Sequence, residues 1–182
     1  MSDIAKAWSI LESADLVCSA ERVEQAMVAV AAALTEHYRD RFPVVLCVMN
    51  GAIFFCGKLM GLLRFPLTLD YVHATRYGDA TSGGNVQWRV EPSDVVRNRD
   101  VIVVDDILDA GVTLGAIKEK VMAAGAATCR IAVLTNKLTG GDKPLRADFV
   151  GLDIPDRFVF GCGLDVSGYW RNLPAIYAVK GS

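Results

Sequence analysis

Residues 101–115 constrain the chain more tightly than any other stretch: Val101-Ile102-Val103-Val104-Asp105-Asp106-Ile107-Leu108-Asp109-Ala110-Gly111-Val112-Thr113-Leu114-Gly115. Four apolar, β-branched residues in a row read as a strand buried on both faces. Asp105 and Asp106 stand where such a strand is expected to end. After Asp109, Gly111 and Thr113 the spacing turns helical, through Leu114, Ile117, Lys118, Val121 and Met122. In an open parallel sheet, ligands bind beyond the carboxyl ends of the strands. A glycine and a threonine leading into a helix N-terminus aim free N–H groups and a hydroxyl at an anion. Three acids beside that turn suit a ligand with vicinal hydroxyls, a phosphate and a proton to transfer. A buried strand followed by a solvated acidic turn would explain the acid pair but not the whole run.

A second unit repeats the arrangement. Pro43 introduces the apolar strand Val44-Val45-Leu46-Cys47-Val48-Met49, which ends in Asn50-Gly51-Ala52 and runs into a helical stretch from Ile53 to about Leu63. Small residues at that turn let backbone N–H groups approach an anion closely. Upstream, Ser19 caps a predicted helix to about Tyr38, with Glu21 in its first turn and an inner face of Val23, Ala26, Met27, Val30, Ala33, Leu34 and His37. Further strands are expected at 67–73, 86–90, 129–135, 149–152, 158–160 and 176–179. Between the first two of these lies a polar, Gly-rich insert, 74–87, whose composition suits a lid closing over a site. This β-α-β alternation predicts a single three-layer α/β domain, residues 1–182, with a largely parallel sheet.

At 182 residues the chain can bury one sizeable core. A net charge of −2 provides no basic field for nucleic acid. Its apolar runs are broken well short of a membrane span. Met1-Ser2-Asp3-Ile4 lacks the basic and apolar regions of a signal peptide, so a cytoplasmic location is expected. The five cysteines (Cys18, Cys47, Cys56, Cys129 and Cys162) are widely spaced without a C-x-x-C pair, and read as reduced thiols in or near the core. His37 has no companion at a metal-ligand spacing. No G-x-G-x-x-G opens a helix after a strand, which excludes a simple dinucleotide fold.

The central run is similar to the phosphoribosyl pyrophosphate (PRPP) signature of the purine phosphoribosyltransferases: an apolar strand, two acids, two apolar residues, then Asp-x-Gly-x-Thr. Matching segments in order from about Ser9 to Val179 resemble the 6-oxopurine (hypoxanthine-guanine) branch and its type I fold, including a small base-binding hood from terminal segments, mainly 137–175. The resemblance implies that Asp105, Asp106, Ile107, Asp109, Ala110, Gly111, Val112 and Thr113 hold ribose and 5′-phosphate, with Asp109 catalytic. Met49, Asn50, Gly51 and Arg171 would bind pyrophosphate, the family's cis non-proline peptide falling at Met49–Asn50. Arg76 and Tyr77 match the lid, and Ile107, Lys137, Phe158, Val159 and Asp165 the purine site. Mg²⁺ is the implied cofactor, held by Asp165, Asp105 and Asp106.

Three features depart from the family pattern. Asn50 replaces a residue that is often basic, Arg76 one that is commonly serine, and Ala110 and Val112 leave the phosphate to backbone N–H groups and Thr113. The expected reaction joins hypoxanthine or guanine to PRPP, giving the nucleoside monophosphate and pyrophosphate, in a homodimer or homotetramer with no nucleic-acid or membrane partner. Two alternatives share the fold: a PRPP-sensing regulator that binds RNA, and a transferase for xanthine or another base. Lys137 disfavours adenine, whose 6-amino group cannot accept from a cation.

Overall fold

The computed structural model describes residues 2–76 and 86–182, Arg76 by its backbone alone. In chain order the elements are α1 (Asp3–Ser13), β1 (Asp15–Cys18), α2 (Ala20–Tyr38), β2 (Val44–Val48), α3 (Ile53–Leu62), β3 (Thr68–Arg76), β4 (Val86–Val90), β5 (Asp100–Leu108), α4 (Val112–Ala123), β6 (Thr128–Leu138), β7 (Phe149–Pro155), β8 (Val159–Phe160) and β9 (Ile176–Ala178). A six-stranded sheet, ordered β4-β3-β2-β5-β6-β7, is parallel except for β4, which pairs antiparallel with β3.

The apolar runs explain its centre. Every residue of β2 is buried, as are Val101 to Val104 and Ile131 to Leu134, because helices cover both faces. The crossovers β2–α3–β3 and β5–α4–β6 step in opposite directions from the β2–β5 pair. Right-handed connections therefore place α3 and α4 on opposite faces. Where the crossovers diverge, the carboxyl ends of β2 and β5 leave a crevice, the usual ligand position in such sheets. The hydroxyl of Ser19 accepts from Arg22 N at 3.4 Å and caps α2. The buried face of α2 carries Val23, Ala26, Met27, Val30, Leu34 and also Ala31 and Tyr38; Ala33, expected inside, faces out. All five cysteines are buried and free.

Two boundaries differ from the sequence expectation. The strand expected to end at Asp105 continues to Leu108, because β6 runs on beside it and pairs Ile107 with Thr135 and Leu108 with Asn136. The insert expected over 74–87 is strand at its edges: Thr75 pairs with Gln87 and Arg76 with Val86. Its remainder, with Tyr77, lies outside the described residues.

A second, three-stranded antiparallel sheet, β1-β9-β8, joins pieces from both halves of the chain. Of the segments assigned to a hood at 137–175, β7 and the end of β6 belong to the six-stranded sheet, whereas β8 belongs to the smaller one. Arg157 fastens the small sheet by donating to Asp15 Oδ2 at 2.7 Å, Val179 O at 2.9 Å and Ser182 O at 3.1 Å. Trp170 donates to Ala7 O at 2.8 Å and packs edge-on against Trp8, tying α1 to the same end of the molecule.

Candidate active site

The crevice holds a pocket of about 360 Å³ lined by residues from the ends of β2, β3 and β5, the start of α4, and Arg171. Twelve residues singled out from the sequence meet there: Met49, Asn50, Gly51, Asp105, Asp106, Ile107, Asp109, Ala110, Gly111, Val112, Thr113 and Arg171.

Because β5 continues past its acids, Asp105 and Asp106 are drawn inward and are only 8% and 7% exposed. Asp106 N donates to Asp105 Oδ1 at 2.9 Å, and Thr135 Oγ1 donates to Asp106 O at 2.8 Å, so backbone and side chains are fixed together. Burial, then the neighbouring charge of Asp106, raises the Asp105 pKa well above the carboxylate range. Burial raises Asp106 to about 6, although a hydrogen bond with Asp105 and the charge of Arg171 pull it down. By itself the pair therefore favours keeping a proton, and hydroxyls or a cation would be needed to hold both charges.

Gly111 caps α4 at φ +80°, a left-handed conformation that glycine adopts without a Cβ penalty. Among the described residues no side chain caps this helix, and its first-turn N–H groups lie beside the Thr113 hydroxyl. Across the pocket the Met49–Asn50 peptide is cis. Among the described residues no backbone acceptor takes the N–H of Asn50 or Gly51. A Cβ on Gly51 would overlap the Asp106 carboxylate, so only glycine brings this turn so close to the acids.

The remaining candidates lie outside the pocket lining, Lys137 and Asp165 each paired with a residue that lines it. Lys137 Nζ, at the end of β6 and 12% exposed, pairs with Asp109 Oδ2 at 3.3 Å. Arg171 pairs with Asp165 at 2.5 Å and donates to Gly163 O at 2.6 Å. The other oxygen of Asp165 accepts from Gly168 N at 2.7 Å. Phe158, which is 54% exposed, and the buried Val159 lie at β8 rather than in the pocket wall. Arg76 stands at the end of β3 by its backbone.

His73 and Thr75 line the pocket from β3 although sequence reasoning did not select them. Only the parallel pairing of β3 with β2, which brings its carboxyl end beside the turn, reveals them. Lys143 was also missed: it lies in a polar loop, yet its ammonium bonds three acceptors at the ends of β5 and β6.

An acid pair, two turns with N–H groups facing the pocket and a Lys–Asp pair beside it are chemically suited to an anionic, hydroxyl-bearing ligand. The chain matches the phosphoribosyl transferase domain family over residues 18–167, and it belongs to that family. It is 34% identical over 166 residues to the hypoxanthine-guanine phosphoribosyltransferase of Bacillus subtilis, covering 91% of this chain and 92% of the relative. It is also 34% identical over 155 residues to the hypoxanthine-guanine-xanthine phosphoribosyltransferase of Tritrichomonas foetus, covering 84% of each. A crystal structure of a hypoxanthine phosphoribosyltransferase from Staphylococcus aureus superposes with a TM-score of 0.85 at 28% identity, covering 94% of this chain and 95% of that one.

Proposed function

We propose that the chain is a purine salvage enzyme that transfers the 5-phosphoribosyl group of PRPP to N9 of hypoxanthine or guanine, releasing pyrophosphate. The observation that carries this reading is the convergence, in one crevice, of the Asp105–Asp106 pair, the N-terminus of α4 and Asp109, whose carboxylate pairs with Lys137 outside the pocket lining.

The first turn of α4 and Thr113 bind the 5′-phosphate, and the carboxylates of Asp105 and Asp106 accept from the ribose hydroxyls. Their negative charge also supports the ring as C1 becomes cation-like. Arg171 and the open N–H groups at Asn50 and Gly51 take the charge that builds on the departing pyrophosphate. Lys137 donates to the 6-oxo group of the purine, and Asp109 accepts the proton at N7 as N9 attacks C1. Phe158 stacks on the base and the Val159 backbone reads its far edge. Ile107 lies between the ribose and the purine, and a lid bearing Arg76 and Tyr77 excludes water from the reacting centre.

The donor set fits a hard divalent cation. Among the described residues no three His, Cys, Asp or Glu side chains converge on one point, and Mg²⁺ is commonly held by one or two carboxylates together with substrate phosphates. Asp105 and Asp106 would hold it on the ribose side, and Asp165, beside Arg171, on the pyrophosphate side. When bound, Mg²⁺ neutralises charge on the leaving group. Five free, buried thiols suit a reducing cytoplasm. Among the described residues no helix is long and apolar enough to cross a membrane. Assembly as a homodimer or homotetramer belongs to the same reading.

The test is pyrophosphate release from PRPP and Mg²⁺, with hypoxanthine, guanine, xanthine, adenine and uracil supplied separately. Release with hypoxanthine or guanine and none with adenine is expected. Silence with every base while PRPP still binds would replace this reading with that of a PRPP sensor.

A further inference from the structure

The ammonium of Lys143 has no proton left over. Nζ donates to Leu108 O at 2.8 Å, to Asn136 Oδ1 at 2.8 Å and to Lys137 O at 2.5 Å, which uses all three donors of a lysine. These acceptors form a pattern. Leu108 and Asn136 are the last residues paired between β5 and β6. The next residue on one strand is Asp109 and on the other Lys137, the two members of the 3.3 Å ion pair at the pocket rim. Where the β5–β6 ladder stops, a single ammonium holds the two strand ends together.

Neighbouring contacts extend the brace. Asn136 Nδ2 donates to Asp153 Oδ1 at 2.7 Å, so the acceptor that faces Lys143 is itself anchored to β7. A Cβ on Gly111 would come within 3.3 Å of Pro144 Cδ, and one on Gly115 within 3.5 Å of Leu145 Cδ2. Lys143, Pro144 and Leu145 thus back the whole turn from the end of β5 into α4. Burial lowers the Lys143 pKa from its ordinary value, with the charge of Asp109 acting against it.

We propose that Lys143 is a positioning residue for base recognition: by tying Leu108 and Lys137 together it sets the separation of Asp109 from Lys137, and so the fit of the purine between its N7 and 6-oxo partners. It touches no substrate, because its donors are spent. The inference rests on the phosphoribosyl-transfer reading. Proton transfer and orientation tolerate little displacement, and an error of about 1 Å costs on the order of a hundredfold.

The experiment compares wild type with Lys143→Met, which keeps the side chain's length but removes every donor, and with Lys143→Arg, which restores a cation. With wild type active, Lys143→Met is expected to raise the hypoxanthine KM about tenfold and lower kcat about tenfold, leaving the PRPP KM within about twofold. Lys143→Arg should recover a large part of both losses. Hypoxanthine parameters within about twofold of wild type in Lys143→Met would overturn the proposal. So would equal rises in the PRPP and hypoxanthine KM that Lys143→Arg does not repair, since that pattern marks general loosening. Should Lys143→Met fail to fold, Asn136→Ala removes one acceptor and spares the ammonium. A rise of about threefold in hypoxanthine KM alone is then expected, and unchanged parameters overturn the idea. A wild-type chain inactive with every 6-oxopurine fails the underlying reading first and takes this inference with it.

Discussion

Asp106 keeps its carboxyl where little water reaches it, and that disfavours its charged form. Its pKa of about 6 lies above the ordinary 3.8, so between these values the folded state binds a proton that the unfolded chain releases. The stability this contributes is complete below the unfolded pKa and is lost as pH rises through about 6. Asp106→Asn removes the charge, so in metal-free buffer it should stabilise the protein at pH 8 and do so much less near pH 4. Urea midpoints at the two pH values test this, and an equal shift at both would contradict it. For Asp109, Asp109→Asn should lower kcat about a hundredfold while the PRPP KM moves less than about threefold, measured by steady-state pyrophosphate release. Unchanged turnover would remove Asp109 from the chemistry. The acids, Gly111 and Thr113 were legible because their chemistry sits in one continuous run. Lys143 was not, because its partners are backbone and amide oxygens on two other strands, and Leu108 lies 35 positions away.

Among the elements, β5 shows what residue order alone withholds. Val101 to Val104 announce a buried strand, and two acids after them look like its end. The end is set instead by the neighbour: β6 pairs through Leu108, and the acids are carried into the interior with their altered proton affinity. The turn after β2 depends equally on what it faces. Gly51 reads from sequence as a turn residue, but its lack of a side chain is what admits the Asp106 carboxylate. Gly51→Ala must therefore displace either the turn or the acid. It should raise the PRPP KM about tenfold or more, with a smaller effect on the hypoxanthine KM. Initial rates with each substrate varied in turn would show it. A variant with both constants unchanged would mean that the turn and the acid do not need this close approach.

Across the whole molecule, the three-layer α/β architecture could be read from alternating strand and helix patterns, since each element carries its own period. Of the small sheet, β8 and β9 fall within the strands expected at 158–160 and 176–179, but β1 and the pairing that joins the three could not be read. β1 is four residues long, and it exists because β9 and Arg157 meet it from the far end of the sequence. Arg157→Met should loosen that sheet, which carries Phe158 and Val159, and leave the β2–β5 crevice intact. The expected result is a several-fold rise in hypoxanthine KM with the PRPP KM held within about twofold, by the same initial-rate measurement. Equal changes in both constants would mean that the two sheets fail as one unit. The reaction as a whole is tested most directly by identifying its products. The chain is incubated with PRPP, Mg²⁺ and hypoxanthine, and nucleotide and pyrophosphate are quantified by mass spectrometry and phosphorus NMR. One N9-linked inosine 5′-monophosphate for each pyrophosphate is the expected result; pyrophosphate released without nucleotide, or no turnover of PRPP at all, would contradict the assignment.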